Sequence, residues 1–197
     1  TIIFISIGGY IYYTNNILND RTSSKEREIE TVEWEKKYKK YENYNQPRIV
    51  SVNVDVNIFP DSRDVNSSGE YIMINKTTEP IDSIFLDHNS ALSTFKFDKE
   101  NSLVSEDTLY NFDIYKLKKP LFTGDTLKLS FTVKNKPNTL LRNNSSVIYN
   151  GTFLNSSLFP SLGYSGGELT DDKTREKYDL PPNKLKPHPS DSTALGN

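Results

Sequence analysis

The 197-residue chain has no cysteine, which removes disulfides, thiolate zinc sites and cysteine nucleophiles together. Histidine is nearly as scarce. His88 and His188 stand far apart and form no H-x-x-x-H pair that a helix could aim at one metal, so each is read as a surface histidine. Neither sign of charge dominates: 24 basic against 26 acidic residues leave a formal charge of −2 and no basic field, which excludes a nucleic-acid partner. Also missing are an H-E-x-x-H helix, a G-x-S-x-G elbow and a phosphate-cradling glycine motif. Asp61, Asp64 and Glu70, and likewise Asp171-Asp172, are read as exposed acidic turns, not as a calcium site. No residue of the chain is assigned a catalytic or metal-ligating role.

No apolar run reaches the ~20 residues that span a bilayer. The nearest approach is 1–13, uncharged and apolar, ending in Tyr10, Tyr12 and Tyr13 before the polar Thr14-Asn15-Asn16. Tyrosines placed so fit the interfacial aromatic belt of a membrane. The run is read as the end of a transmembrane helix emerging into water. A buried strand and a signal-peptide apolar region are the alternatives, and the absence of a basic flank weighs against the second.

Alternation of apolar and polar residues is the strongest pattern present. Val50, Val52, Val54, Val56 and Ile58 are separated by Ser51, Asn53, Asp55 and Asn57, and Leu127, Leu129, Phe131 and Val133 by Lys128, Ser130 and Thr132. A period of two marks strands with one face in a core and one in water. Val52, Val54, Val56, Leu129 and Phe131 are therefore expected to point inward, and Asn53, Asp55, Lys128 and Ser130 outward or towards a missing domain. Shorter runs at 70–75, 81–86, 95–97, 112–117 and 147–153 add strands. Pro60 to Asp64, Asn66 to Gly69, Lys76 to Pro80, Lys118 to Pro120 and Thr123 to Asp125 supply turn chemistry between them. Strands recurring at short intervals predict a mainly β fold, an antiparallel β-sandwich. The twelve tyrosines and ten phenylalanines are read chiefly as its filling.

Flanking segments differ in character. Residues 23–42 are densely charged, with Ile29, Val32, Tyr38 and Tyr41 at loose helical spacing, and predict a polar helix with Ser24 at its start. Early Glu26 and Glu28 and late Lys36 to Lys40 suit its dipole. Thr170 or Asp171 is placed to cap a short helical turn over 169–177. Pro181, Pro182, Pro187 and Pro189 mark an extended linker. The organisation expected is 1–13, end of a transmembrane helix; 14–46, polar helical spacer; 47–165, β-sandwich; 166–197, loop and proline-rich linker toward a missing catalytic domain. Six N-x-S/T sequons, at Asn66, Asn75, Asn143, Asn144, Asn150 and Asn155, permit glycosylation.

From Trp34 to Pro182 the chain resembles the N-terminal β-domain of M1-family zinc aminopeptidases, in a bacterial branch fused behind an ABC-type permease membrane region. The residues carrying the likeness run in order. They are Trp34 with Tyr38-Lys39-Lys40-Tyr41-Glu42, Pro47-Arg48-Ile49, Val52 to Pro60, Gly69-Glu70-Tyr71, Asn75-Lys76-Thr77 and Pro80-Ile81-Asp82. Pro120-Leu121, Gly124 to Leu127, Asn150 to Phe153, Phe159 to Tyr164, Glu168-Leu169, Arg175 and Leu180-Pro181-Pro182 complete the set.

The resemblance implies a saddle-shaped sandwich that packs against and shapes a peptidase domain and is itself non-catalytic. It implies zinc and the general base in that following domain, and no cofactor in this chain. Partners implied are the chain's own downstream catalytic domain, its membrane region and a peptide substrate, on the extracytoplasmic (periplasmic) side of a bacterial inner membrane. Typical soluble members carry a glutamine or glutamate, before the Phe-Pro step, that helps hold the substrate's amino group. Here Asn150, Gly151, Thr152 and Asn155 occupy that substrate-side neighbourhood without either residue. An arginine-containing segment usual there is also missing. The alternative to a peptidase domain is a partner- or ligand-binding assembly module of a membrane transport complex, without peptidase activity.

Overall fold

The structure, a computed structural model, describes residues 2–14, 23–88, 93–136, 147–148, 151–164 and 166–182. Asn150, Asn143, Asn144, His188 and the prolines at 187 and 189 lie outside the described residues. The chain divides into two units, Thr1–Arg21 with Tyr38–Ser165, and Thr22–Lys37 with Gly166–Asn197.

The first unit holds the sheets. In chain order these are β1 (Arg48–Phe59), β2 (Asp64–Ile74), β3 (Ile81–Asp87), β4 (Ser93–Phe97), β5 (Asn101–Asp107), β6 (Phe112–Leu121), β7 (Thr126–Asn135), β8 (Val147–Ile148), β9 (Gly151–Thr152) and β10 (Ser161–Leu162). One four-stranded sheet runs β1-β2-β7-β4, a second runs β10-β3-β6-β5, and β8-β9 is a separate hairpin. Every strand pair is antiparallel. Tyr71 and Met73 of β2, Leu127 to Val133 of β7 and Phe97 of β4 share one buried cluster with Ile84 and Leu86 of β3 and Leu117 and Leu121 of β6. Two sheets closing on a common apolar cluster make the fold a mainly β, antiparallel β-sandwich.

β7 follows its alternation fully: Leu127, Leu129, Phe131 and Val133 are buried and Lys128, Ser130 and Thr132 are not. β1 does not. Val52 is 59% exposed, Val56 37% and Ile58 39%, and Val54 is only half-buried. The expectation that Val52 and Val56 fill the core is thus corrected, whereas Val54 does pack against the core cluster. Their side is the right one, because Val52 pairs with Tyr71 and Ile58 with Val65, both buried. The difference is coverage. β7 lies between two neighbours, whereas β1 is the edge of its sheet, where burial is incomplete.

Asn66 to Gly69 is likewise strand where a turn was expected. The reversal is confined to Pro60–Arg63, with Arg63 taking the left-handed conformation at φ 60°. Gly69 is needed for close approach: a Cβ there would lie 2.7 Å from the Asn53 carbonyl oxygen and 2.9 Å from Phe131 Cζ. Lys118 to Pro120 also lies inside a strand. The β3–β6 register jumps between Ile81↔Leu121 and Ser83↔Lys116, so Pro120 sits where the ladder is already irregular. β5 was not foreseen, its sequence Asn101–Asp107 being mostly exposed and lacking alternation.

Within the second sheet, β3 is buried on both faces. Ile84 joins the sandwich core, while Phe85 turns the other way, under Tyr41 at 4.7 Å and Tyr44 at 5.5 Å between ring centroids. Tyr38 adds to this layer through Phe112 at 4.5 Å. A share of the aromatic content therefore caps the outside of a sheet. His88 is no surface histidine: its Nε2 is 3.4 Å from Asp113 Oδ2, and both side chains are nearly buried.

Helix α1 (Ile2–Tyr13) belongs to the first unit and exposes Ile3, Phe4, Ile5, Ile7 and Tyr10 by more than half. Among the described residues no helix is long and apolar enough to cross a membrane.

The second unit contains most of α2 (Ser24–Tyr38) and α3 (Asp172–Lys177). α2 begins in a capping box on Ser23, not Ser24: the Glu26 N–H donates to Ser23 Oγ at 3.2 Å and the Ser23 N–H donates to Glu26 Oε2 at 2.6 Å. The Ser23 N–H, and after it the Ser23 hydroxyl, favour the ionised carboxyl, so Glu26 sits below the usual carboxylate range. α3 is capped by Asp171, which accepts from the Thr174 N–H at 2.9 Å.

Candidate binding groove and its structural supports

The first unit carries a groove of about 880 Å³ beside the Phe159-Pro160 step. Ile49, Val52, Tyr71 and Phe159 supply apolar walls, with the charged Arg48 and Asp87 also lining it. Local sequence explains the shape. Asn155 caps a 3-10 turn, Ser156–Leu158, by accepting from the Ser157 N–H at 3.1 Å. Leu158 is buried with Val65 and Val147, which anchors the turn, and Ser161–Leu162 then pairs with Leu86 and Asp87 of β3. Tyr71 packs on Phe131 at 4.8 Å, and burial pushes its phenol up to about 12, so it is a neutral wall.

Of the sequence-derived neighbourhood, Gly151, Thr152 and Asn155 are not among the residues lining this groove. Gly151 and Thr152 form the exposed β9 strand of the small hairpin, paired with Ile148 and Val147. Asn155 stands next to the lining residues Ser156 and Ser157 but acts as a cap. The lining residues Arg48, Ile49, Tyr71 and Asp87 were not foreseen as a site, because they come from three separated strands and share no motif.

Two polar constellations support the fold. Asn75, fully buried, donates from Nδ2 to the Glu79 and Leu121 carbonyls, each at 2.8 Å, and accepts at Oδ1 from the Thr77 N–H at 2.8 Å. Its backbone carbonyl accepts from the Gly124 N–H at 2.8 Å and its N–H donates to the Asp125 carbonyl at 3.0 Å. Its sequon is consequently closed to modification in the folded chain. In the second unit, Arg175 and Glu35 are both fully buried and meet in a fork, at 2.7 and 2.9 Å. Arg175 also donates to the Pro181 carbonyl at 2.6 Å and the Leu169 carbonyl at 2.8 Å. Trp34 Nε1 donates to the Gly166 carbonyl at 2.8 Å. Glu35 holds the guanidinium's pKa above its ordinary value. The helix expected as a solvated spacer therefore carries a buried face.

Among the described residues no three His, Cys, Asp or Glu side chains come together as a metal-binding group. What the groove offers is shape, apolar contact and one charge of each sign.

No family model matches the chain, and no curated protein matches it. Solved structures of M1 zinc metallopeptidases are similar in part. A Deinococcus radiodurans enzyme bound to a Tyr-Ser-Ala substrate matches at 14% identity and TM-score 0.38, over 49% of this chain and 22% of that one. Another structure of M1 zinc metallopeptidase from the same organism matches at 15% identity and TM-score 0.35, over 46% of this chain and 20% of that one. The matched region is thus about a fifth of the length of those proteins.

Proposed function

We propose that the chain is the non-catalytic β-sandwich domain of a membrane-anchored M1-type metallopeptidase fused to a permease, packing against and shaping a following peptidase domain. The observation that carries this reading is how the residues of the family resemblance meet. Asn75 and Thr77, on one segment of the likeness, bond to Leu121, Gly124, Asp125 and Thr123 from another stretch 46 or more residues on. Arg175 bonds to Leu169 and Pro181 in the same manner while it pairs with Glu35, the neighbour of Trp34. Membrane anchoring is supported by α1, whose uncharged apolar surface is costly to leave in water. Zinc belongs, in this reading, to the following domain.

The second reading is a partner-binding assembly module without peptidase activity. It is favoured by the groove and the uncovered aliphatic row of β1. The parent protein decides between them. An H-E-x-x-H with a downstream glutamate beyond Asn197, stoichiometric zinc and hydrolysis of aminoacyl-arylamides are expected under the first reading. Their absence in the parent favours the second. Stoichiometric micromolar zinc binding by this chain alone, seen in calorimetry, would overturn the non-catalytic assignment.

A further inference from the structure

We propose that β1 is a self-association edge, through which two copies of this chain pair antiparallel about a two-fold axis at Val54. The inference is independent of the peptidase reading. It begins from an anomaly: a twelve-residue strand at the edge of its sheet, exposed along most of its length, with Val52, Val56 and Ile58 uncovered on the core side. Edge strands left open to water are ordinarily guarded by proline, lysine, inward charges or brevity. Between Ile49 and Phe59 there is no proline and no lysine. The guards present are one bulge, between Ile49 and Ser51, and the outward-facing Asp55.

A second copy fits this edge because its pattern is self-complementary. With the axis at Val54, residue numbers across the new ladder pair symmetrically, as a closed two-fold interface requires. Val54 meets the partner's Val54, and Val52 meets the partner's Val56, so the aliphatic row runs on from one copy into the next. β-branched pairs of this kind are favourable cross-strand neighbours. On the opposite face Asp55 meets the partner's Asn53, whose amide donates to the carboxylate, and the contact occurs twice. Moving the axis to Asp55 sets two carboxylates against each other. Moving it to Asn53 carries the bulged Val50 deeper into the ladder, opposite the partner's Val56. Charge and bulge together select the Val54 register. The β1-β2-β7-β4 sheets of the two copies then become one continuous sheet.

A single strand pair is small by the standard of stable interfaces, so the dimer is expected to dissociate in the micromolar range. The test is sedimentation of the full chain across micromolar concentrations, in a mild detergent that covers α1. Concentration-dependent dimers are expected. Asn53→Asp, which sets two carboxylates opposite each other, should weaken the dimer at least tenfold, and Asn53→Lys should tighten it. Residue 53 is exposed, and circular dichroism of each variant checks that the sandwich persists. Because the chain is net negative, the two variants also shift general repulsion in opposite directions, so the signature of this register is a markedly smaller effect from the same two substitutions at exposed Asn57, which faces the partner's Ser51. A monomer at every concentration, equal effects of the two Asn53 variants, or equally large effects at Asn57 overturns the proposal.

Discussion

Replacing Phe131 by alanine tests the packing argument most directly. The side chain is 3% exposed, lies 4.8 Å from the Tyr71 ring and 6.3 Å from the Phe159 ring, and approaches Gly69 on the paired strand. Deleting a phenyl ring from such a site removes its transfer free energy and leaves a cavity that flanking strands fill only partly, at about 3 to 5 kcal/mol. Against a domain stability of roughly 5 to 15 kcal/mol, that is a large share. Urea slopes of about 1 to 3 kcal/mol per molar put the loss near a 2 M fall in midpoint. The control is Val56→Ala on β1, on the same side of the same sheet but already 37% exposed, which should cost ~0.5 kcal/mol or less in the monomer. Lys128→Ala breaks an exposed 2.6 Å contact with Glu70 and should cost about as little. Chemical denaturation of the three variants, at concentrations too low for association, measures all of this. Equal losses at Phe131 and Val56 would show β1 to be as covered as β7 and would refute the account of the edge.

Further outcomes follow from other contacts. Glu35→Ala strands the buried Arg175 charge and should destabilise by about 3 to 5 kcal/mol, whereas a paired apolar replacement of both residues should restore most of the loss; thermal melting distinguishes them. Gly69→Ala forces a methyl to within 2.7 Å of backbone and should cost roughly 1 to 3 kcal/mol by the same measurement, so a neutral result would contradict the strand geometry. Removing residues 1–13 should leave a folded and more soluble sandwich, because its first strand begins at Arg48; cooperative unfolding near room temperature would refute this. Tyr71 and Tyr115 are both pushed up to about 12, mainly by burial. The stability they contribute is complete below about pH 10, the unfolded tyrosine value, and is lost as pH rises toward 12. Replacing both by phenylalanine should flatten that alkaline limb in melts run against pH.

The sequence by itself determined the β class and the position of most strands, because a period of two is a local property of the chain. β7 shows this best, its four apolar residues all buried as alternation requires. The Asp171 cap and the capping-box partners of α2 were within reach for the same reason, since their chemistry closes within three residues. The tertiary structure alone decided which strands stand at an edge. β1 and β7 carry the same pattern, but a strand's neighbours are set by topology, so equal sequences of valine and leucine end with unequal burial. It also decided the polar partnerships. Glu35 and Arg175 read as two surface charges in a charged chain, and only the packing that removes water from both, 140 positions apart, makes them one buried fork. The groove belongs to this second class: Arg48, Tyr71 and Asp87 carry no shared motif and meet because strands of both sheets bring distant positions to one place.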